Sequence, residues 1–370
     1  MEYRKLADDK ISLLGFGCMR FPVLDNGKID EDEATKMLDK AIKAGVNYID
    51  TAYPYHNGDS ELFVGKVLEN YKRDSYYLAT KLPMWMIESV DDAVRIFNEQ
   101  LKRLNKDYVD YYLFHALDKE RWDKIKELDL ISVFEKIKGE GKIRHLGFSF
   151  HDSYDVFEEI INFHNWDFCQ IQFNYVDTEV QAGLKGYKLT ESKNIPLVIM
   201  EPIKGGALAK LPQEVMNEFT SVNKDWSAAS WALRYVASFS NVMCILSGMS
   251  TMAQVEDNLG TFNTITQFTE KEHLAISNAL DVFKKRIKNS CTGCRYCMPC
   301  PSGVDIPKNF ACWNRMSMFD NKSLVSWSIS EMKKNNSTAD KCIKCGKCEK
   351  LCPQHISIRS DLEKVVKEML

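Results

Sequence analysis

The chain has 370 residues, of which 45% are hydrophobic and 27% charged, and its formal net charge is −3 at pH 7. These values are typical of a folded globular protein, and no run of about eighteen apolar residues predicts a membrane span. The start, Met1-Glu-Tyr-Arg-Lys, lacks the apolar core of a secretion signal, so we expect a cytoplasmic protein. Basic residues outnumber acidic ones from about residue 284 onward, whereas the preceding residues are acidic overall. This asymmetry predicts two domains and does not require nucleic acid as a partner.

Strand-like and helix-like segments alternate along most of the chain, after a small hairpin near the N-terminus. Apolar, aromatic-rich runs predict buried strands, and apolar residues at helical spacing predict the helices between them. The predicted strands are 13–19, 46–50, 76–81, 108–114, 143–149, 168–173, 196–200 and 242–247. The predicted helices are 31–44, 60–70, 89–104, 121–139, 153–163, 181–193, 226–239 and 251–262, with a further helix at 266–288.

This strict alternation favours a parallel sheet whose strands are joined by crossover helices. Eight strand–helix units have the size of a closed (β/α)8 TIM barrel. A doubly wound open sheet is the alternative, but Gly15-Phe-Gly17-Cys-Met-Arg lacks the third glycine of a pyrophosphate-binding turn. We therefore predict an α/β barrel in residues 1–285, followed by a small domain in residues 286–370.

Four polar residues lie at the ends of three consecutive predicted strands, where a barrel of this kind carries its chemistry. Asp50 and Tyr55 belong to the second strand and the loop after it, Lys81 ends the third strand, and His115 follows the fourth. A carboxylate, a lysine and a histidine around one phenol would form a proton-transfer site. Each residue alone is a weak indication, because a single tyrosine, lysine or histidine at a strand end is usually an ordinary rim residue.

The cysteines fall into two groups. Cys18, Cys169 and Cys244 lie in apolar runs and are predicted to be inert core residues, whereas nine others lie between residues 291 and 352. Without a secretion signal, metal binding is favoured over disulfides for the second group. Within that group, Cys312 lies outside the two motifs and is predicted to be a core residue.

The second group contains two similar runs. The later run is Cys-x2-Cys-x2-Cys-x3-Cys-Pro, the spacing of bacterial ferredoxins, and the earlier run is one residue shorter before its last cysteine. A single cluster and a pair of zinc sites are the alternatives to two [4Fe-4S] clusters. Helical apolar spacing between the runs favours a mainly helical ferredoxin-like domain. The ferredoxin pattern implies one ligand set of Cys291, Cys294, Cys297 and Cys352, and another of Cys300, Cys342, Cys345 and Cys348.

The first part of the chain resembles the aldo-keto reductases, and the whole chain resembles those that carry a C-terminal ferredoxin-like [4Fe-4S] domain. The resemblance rests on Asp50-Thr-Ala-x2-Tyr55, Thr80-Lys81 and Phe114-His115. It implies an NAD(P)-dependent oxidoreductase in which Tyr55 donates a proton in reduction and accepts one in oxidation. Lys81 would lower the pKa of the phenol from about 10, and Asp50 would keep the lysine charged. His115 would align the substrate carbonyl.

The same resemblance implies where the cofactor binds. Many relatives use cations on the 2′-phosphate of NADPH where this chain has Gly248 and Gln254, which leaves the choice between NADH and NADPH open. Lys204 offers one charge nearby, and Gly205-Gly206 is either a flexible loop or a strap over the pyrophosphate. The implied cofactor positions are Ser149, Gln170, Met200, Gly248, Ser250, Gln254, Asp257 and Asn258.

The leading interpretation is a carbonyl reductase, or alcohol dehydrogenase in reverse, that acts on a small molecule. Met19, Trp85 and Phe150 are candidate pocket residues, but they do not identify the substrate. A first alternative is an electron-transfer enzyme linked to ferredoxin or flavodoxin, because this gives the tail a role and a basic tail suits an acidic carrier. A second alternative is a redox-sensing module without turnover, against which the complete set of four polar residues argues.

Overall fold

Eight parallel strands form a closed barrel, preceded by an antiparallel hairpin of β1 (Tyr3–Leu6) and β2 (Asp9–Ser12). The computed structural model describes residues 1–6 and 8–370. Each barrel strand pairs with the next one in the sequence, and the last strand pairs with the first to close the barrel. The barrel strands are β3 (Leu14–Gly17), β4 (Tyr48–Asp50), β5 (Tyr77–Leu82), β6 (Val109–Leu117), β7 (Ile143–Phe150), β8 (Phe168–Gln172), β9 (Leu197–Met200) and β10 (Val242–Ser247).

The helices between these strands confirm the predicted (β/α)8 architecture, with two local differences. The predicted helix 121–139 is two helices, because Asp129 has a left-handed backbone with φ 48°. A short helix that was not predicted follows Pro212. The helices are α1 (Glu31–Lys43), α2 (Asp59–Leu68), α3 (Val90–Leu104), α4 (Lys119–Glu127), α5 (Leu130–Gly139), α6 (Tyr154–Phe163), α7 (Gly183–Ser192), α8 (Gln213–Thr220), α9 (Ala228–Ala237), α10 (Met252–Asn263) and α11 (Glu270–Lys285).

The C-terminal region is helical, as its apolar spacing predicts. Its helices are α12 (Ile306–Phe319), α13 (Ser326–Lys334), α14 (Lys347–Leu351) and α15 (Ile358–Met369), and the structure places no strand in residues 286–370. These helices enclose a core of their own, in which Trp313 and Phe310 are buried. Cys312 is buried there as well. In the part of the chain that the structure describes, no helix is both long and apolar enough to cross a bilayer.

Contacts divide the chain into two compact units. The first comprises Met1–Gly205 and Ala229–Phe268, and the second comprises Gly206–Ala228 and Thr269–Leu370. Helices α8 and α11 therefore belong to the same unit as the cysteine-rich tail. The predicted boundary between residues 285 and 286 stays a prediction.

The barrel interior explains why polar residues gather at one end of it. Tyr48, Ala79, Tyr111, Phe168 and Val198 are all buried members of one interior cluster. Side chains two positions apart on a strand point to the same face. The residue two positions after each of these five therefore also faces the barrel interior, nearer to the carboxyl ends of the strands. Those residues are Asp50, Lys81, Leu113, Gln170 and Met200. Four of the five lie at predicted site positions.

Candidate active site and cysteine clusters

The buried ammonium of Lys81 lies between three oxygen acceptors. Its Nζ donates to Asp50 Oδ1 at 2.7 Å, to the backbone oxygen of Thr51 at 2.8 Å and to the Tyr55 hydroxyl at 3.4 Å. The Lys81 side chain is 0% exposed and the Asp50 side chain 3%. An ammonium has three N–H donors, so these three contacts account for all of them. The structure thus brings together three of the four residues predicted to be catalytic.

Burial and pairing act in opposite directions on these groups. Burial alone lowers the pKa of Lys81, but the carboxylate of Asp50 and the Tyr55 oxygen outweigh it, and the pKa of Lys81 lies above its ordinary value. Burial raises the pKa of Tyr55, and Lys81 offsets only part of that rise. The lysine therefore stays charged, and the phenol keeps its proton near neutral pH.

The fourth predicted residue, His115, lies beside the phenol. The ring centroids of Tyr55 and His115 are 6.0 Å apart at an interplanar angle of 77°. The Trp85 ring packs on the His115 ring, with centroids 5.1 Å apart. Burial, followed by the positive charge of Lys81, lowers the pKa of His115 well below its usual value, so the imidazole is neutral. Among the described residues, its buried Nδ1 has no hydrogen-bond partner. A polar group of a bound molecule would satisfy this atom.

Two of the predicted pocket residues are exposed and one is not. Met19 is 56% exposed and Trp85 is 44% exposed. Phe150 is buried, and its ring packs against Phe157 with centroids 5.1 Å apart. Phe150 is therefore a packing residue in this structure, and Met19 and Trp85 remain available for a substrate.

Three predicted cofactor positions meet on one side of the barrel mouth. Gln170 Nε2 lies 3.4 Å from Met200 Sδ, while the buried Gln170 Oε1 has no partner among the described residues. Ser149 Oγ accepts a hydrogen bond from the backbone N–H of Ala116 at 2.7 Å, so its own proton is free for another acceptor. A serine hydroxyl donor and an orphaned amide oxygen fit the carboxamide of a nicotinamide, and the Met200 thioether suits its ring.

The remaining cofactor positions lie after β10. Gln254 Oε1 accepts from the backbone N–H of Ser250 at 2.7 Å, and Asn258 Nδ2 donates to Ser247 Oγ at 2.7 Å. Asp257 is exposed on α10. Gly248 faces the aliphatic part of the Arg20 side chain, and a Cβ at residue 248 would lie 3.1 Å from Arg20 Cγ.

The positive charge of Lys204 is already paired. Its Nζ lies 2.6 Å from Asp177 Oδ1 and 2.5 Å from Asp177 Oδ2, and the Asp177 side chain is largely buried. Lys204 is therefore committed to a structural ion pair. The following Gly205 and Gly206 both have positive φ, 62° and 92°, which glycine adopts without a steric penalty.

A buried polar network behind Lys81 was not predicted from the sequence. Glu61 Oε1 accepts from Thr80 Oγ1 at 2.6 Å and from Gln100 Nε2 at 2.8 Å, and all three residues are 0% exposed. Gln100 Nε2 also donates to the backbone oxygen of Lys81 at 3.0 Å. The network holds the end of β5 from which Lys81 projects. Glu61, Thr80 and Gln100 are far apart in sequence, so no local pattern indicates that they meet.

Five cysteines of the tail line one cavity of about 90 Å³. Cys297 and Cys300, from the first run, lie there with Cys342, Cys345 and Cys348 of the second. Burial raises the pKa of Cys300, but hydrogen bonds from the hydroxyl of Ser302 and from nearby backbone N–H groups outweigh it, so the pKa is lowered. N–H and O–H donors around a thiolate are the surroundings that a ligand sulfur of an iron–sulfur cluster needs.

Three further cysteines act electrostatically on Cys297. Burial raises the pKa of Cys297, and the neighbouring charges of Cys291, Cys294 and Cys352 raise it further. Neighbouring thiolates destabilise one another's anionic form, and a bound cation offsets that penalty. The two ligand sets that the ferredoxin pattern implies stay predictions.

A closed parallel barrel with these residues at its mouth defines the class of the protein, and the comparisons agree. The model of the Aldo/keto reductase family matches residues 13–281, and that of the 4Fe-4S dicluster domain matches residues 290–356. The chain belongs to the aldo/keto reductase family, is an oxidoreductase, and carries a C-terminal 4Fe-4S dicluster domain.

Known relatives match 64–77% of the chain. The uncharacterized oxidoreductase YqkF of Bacillus subtilis is 29% identical over 321 residues, which cover 77% of this chain and 99% of the relative. The NADH-specific methylglyoxal reductase of Escherichia coli is 23% identical, over 64% of this chain and 85% of the relative. Among solved structures, the holo form of aldo-keto reductase AKR11C1 from Bacillus halodurans is 28% identical with a TM-score of 0.64, covering 75% of this chain and 96% of that one.

Proposed function

We propose that this protein is a nicotinamide-dependent carbonyl reductase, or an alcohol dehydrogenase in reverse, with Tyr55 as its proton donor and acceptor. The observation that supports the proposal most strongly is the buried Lys81 ammonium held between Asp50 and the Tyr55 hydroxyl. A buried charged pair is unfavourable unless it is well paired, and sites of this kind concentrate where a proton must move. An ion pair that only stabilised the fold would not require a tyrosine hydroxyl beside the ammonium.

The nicotinamide cofactor supplies the hydride when it is bound. Lys81 donates to the Tyr55 oxygen, so the phenol proton points elsewhere and is available to a substrate oxygen. The neutral imidazole of His115 donates a hydrogen bond to the carbonyl oxygen of the substrate, or accepts one from the hydroxyl of the alcohol. This bond fixes the substrate oxygen beside Tyr55. As the carbonyl becomes an alcohol, Tyr55 loses its proton and the adjacent Lys81 stabilises the phenolate. Ser149, Gln170 and Met200 would hold the nicotinamide ring.

We propose a small carbonyl compound as the substrate. The Escherichia coli relative named above is a methylglyoxal reductase, and the exposed Met19 and Trp85 offer apolar surface to such a compound, Trp85 directly beside His115. Gly248 and Gln254 offer no cation to a 2′-phosphate, so NADH and NADPH both have to be tested. Gln254, Ser250, Asp257 and Asn258 would line the adenosine end.

The test is a screen of small aldehydes and ketones, methylglyoxal first, with NADH and with NADPH on anaerobically purified protein. Tyr55→Phe should lower kcat by about 10²–10⁴-fold while cofactor affinity stays nearly the same, because only the transferred proton is lost. Tyr53→Phe is the matched control, since the Tyr53 hydroxyl donates to Glu99, which is not one of the reacting groups. Normal turnover by Tyr55→Phe would remove Tyr55 from the proposed role.

We further propose that the tail holds two [4Fe-4S] clusters, one on Cys291, Cys294, Cys297 and Cys352, the other on Cys300, Cys342, Cys345 and Cys348. The presence of two runs, each with three cysteines at ferredoxin spacing, supports two clusters over a single one. Two roles are open to the clusters. They either stabilise the fold of the tail or exchange electrons with the barrel and a ferredoxin or flavodoxin.

The electron-relay function is the second candidate, and it is favoured by the exposure of Cys294 and Cys345. A cluster near the surface is accessible to a redox partner, and the basic tail suits an acidic one. The two functions predict different changes in the absorbance of the clusters. Bleaching of the cluster absorbance by NADH or NADPH would support the relay, whereas an unchanged spectrum during carbonyl turnover would favour a structural role.

A further inference from the structure

Strand β6 carries an extra residue at the point where it presents His115. Phe114 pairs with Phe148 of β7, and the next pair is Leu117 with Phe150. Between these two pairs β6 has two residues and β7 has one. A β-bulge of this kind bends the strand and changes the direction of a side chain, and bulges are common next to active sites. The bulge therefore determines where the imidazole of His115 points.

The second residue of the bulge, Ala116, has a left-handed backbone. Its φ is 56°, which is unfavourable for an alanine because the Cβ crowds the backbone. Such a conformation persists only when the surrounding structure holds it in place, and residues of this kind cluster at functional sites. The contacts that hold Ala116 therefore also hold the direction of His115.

Two side chains hold the backbone of Ala116, one at each of its polar groups. Its N–H donates to Ser149 Oγ at 2.7 Å, and its carbonyl oxygen accepts from Arg121 Nη1 at 2.8 Å. The same nitrogen of Arg121 donates to Asp118 Oδ2 at 2.7 Å. Asp118 Oδ1 in turn caps α4 by accepting from the backbone N–H of Arg121 at 2.9 Å. Arg121 thus ties the bulge to the first turn of α4.

Arg121 also contacts the ring that packs on His115. Its guanidinium carbon lies 5.6 Å from the centroid of the Trp85 ring, within the range of a cation–π contact. The centroids of the Trp85 and His115 rings are 5.1 Å apart. One side chain of α4 therefore supports His115 twice, through the backbone that follows it and through the aromatic ring beside it.

We propose that Arg121 is a positioning residue for His115. The inference rests on the proposed function, in which the imidazole of His115 contacts the substrate oxygen. Arg121 holds the strained bulge and the Trp85 ring, so the imidazole is already directed towards that oxygen when the substrate binds. A reacting group that is held in its productive geometry beforehand lowers the barrier, because less freedom is lost on the way to the transition state.

The test compares the effect of Arg121→Met on kcat in two backgrounds, the wild type and His115→Ala, with full-length, cluster-loaded protein at saturating cofactor. Methionine keeps an aliphatic side chain but cannot donate to the Ala116 oxygen. Arg121→Met should lower kcat for carbonyl reduction by about ten- to a hundredfold, because a small displacement of a catalytic group has an effect of that size. It should have almost no further effect on the residual kcat of His115→Ala, since residues that act as a unit are not additive.

Equal losses in the two backgrounds would overturn the proposal, because Arg121 would then act independently of His115. An unchanged kcat of Arg121→Met in the wild-type background would overturn it as well. Thermal unfolding shows whether each variant is folded, and Arg121→Lys, which keeps a donor and the charge, takes the place of Arg121→Met if methionine prevents folding. Arg95→Met is the control for net charge and should keep its kcat, since Arg95 lies exposed on α3 and pairs with Asp92 and Glu99.

The crystal structures of the wild type and of Arg121→Met separate this proposal from the proposed function. In the variant, Ala116 should leave the left-handed region and the His115 ring should turn away from its wild-type direction. An unchanged bulge with an unchanged imidazole would overturn the positioning role, whatever the activity. A wild-type protein that reduces no carbonyl compound with either cofactor would instead reject the proposed function.

Discussion

At the scale of single residues, the site depends on how one buried ammonium is satisfied. Lys81 has three acceptors at 2.7, 2.8 and 3.4 Å, and the longest contact is the one to the phenol. Asp50 and Thr51 therefore hold the ammonium, and Tyr55 receives its remaining N–H. This arrangement leaves the Tyr55 phenol protonated at rest. When the phenol gives up its proton, the ammonium stabilises the resulting phenolate. Removing one member of a buried pair costs about 3–5 kcal/mol, which makes the pair a structural as well as a chemical feature.

Lys81→Met should shift the pH dependence of the reaction in a defined direction. In the proposed reaction, carbonyl reduction needs the protonated phenol and alcohol oxidation needs the phenolate, so the rate of oxidation should rise with pH towards the pKa of Tyr55. Burial already raises that pKa, and Lys81 opposes the rise. Without Lys81 the pKa of Tyr55 is higher still, so a smaller fraction of the phenol is ionised at any pH below that pKa. The rising limb of kcat for oxidation should therefore move to higher pH.

The measurement is kcat against pH in both directions at saturating cofactor. Lys66→Met is the control, because Lys66 is an exposed lysine whose ion pair is with Glu31, away from the reacting groups. An oxidation profile of Lys81→Met that coincides with the wild-type profile would show that Lys81 does not act on the titrating group.

Whether the place of a residue in the site can be predicted from the sequence depends on what determines that place. Asp50, Tyr55, Lys81 and His115 could be predicted to meet, because the carboxyl ends of parallel strands share one rim and period two sets which side chains face inward. Arg121 could not, because its contact with β6 depends on a bulge and on the reach of a long side chain. Glu61 and Gln100 could not either, because their contact depends on how α2 and α3 pack.

At the scale of elements, apolar runs predicted all eight barrel strands, since a buried parallel strand is apolar along its whole length. The same reasoning merged α4 and α5, because helical spacing continues on both sides of a break that occurs at Asp129 alone. Aspartate tolerates the left-handed conformation found there, so one residue ends a helix without interrupting the apolar pattern. Helix α8 has only eight residues and lies outside the alternation of strands and helices, so no pattern in the sequence predicts it.

The packing of α2 against α3 depends on a glycine. A Cβ at Gly65 in α2 would lie 2.6 Å from the backbone oxygen of Leu104, at the end of α3. Gly65→Ala should therefore lower the stability by about 1–3 kcal/mol, because backbone atoms cannot move aside as a flexible side chain can. The change should appear as a lower midpoint of thermal unfolding, followed by circular dichroism.

Gly260→Ala provides the matched comparison. Gly260 is an exposed position within α10, and a Cβ there would meet nothing within 4 Å. Alanine is favoured over glycine in a helix by about 1 kcal/mol, so this variant should be as stable as the wild type or more stable. Equal effects of the two substitutions would show that helix propensity, not the contact with Leu104, decides the outcome at Gly65.

At the scale of the whole molecule, the cysteine-rich tail does not stand alone in its unit. Arg286, which follows α11, pairs with Glu214 of α8 at 2.5 Å and donates to the backbone oxygen of Ser317 in α12 at 3.0 Å. One side chain thus connects three helices of the second unit. Deleting residues after 285 would remove Arg286, its ion pair with Glu214 of α8 and the contact of α11 with α12, so cysteine substitution tests the role of the clusters more cleanly than truncation does.

The two predicted ligand sets make different cysteines essential to different clusters. Wild-type protein prepared without oxygen should contain about eight iron and eight acid-labile sulfide per chain. Cys300→Ala should lower both to about four by removing the cluster at the Cys342, Cys345 and Cys348 cavity. Cys352→Ala should also leave about four, but with the other cluster lost. The double variant should then hold none, whereas a shared single cluster would give about four in the wild type.

Cys312→Ala is the control that separates ligation from packing. Cys312 is buried in the same helical core but belongs to neither group of four thiols. Its substitution removes one sulfur from the core and should leave the iron content unchanged. If Cys312→Ala loses as much iron as Cys300→Ala does, core packing rather than ligand identity controls cluster retention. If only the variants at Cys300 and Cys352 lose iron, both residues are cluster ligands, as the two predicted sets of four require, and packing around Cys312 does not control cluster retention.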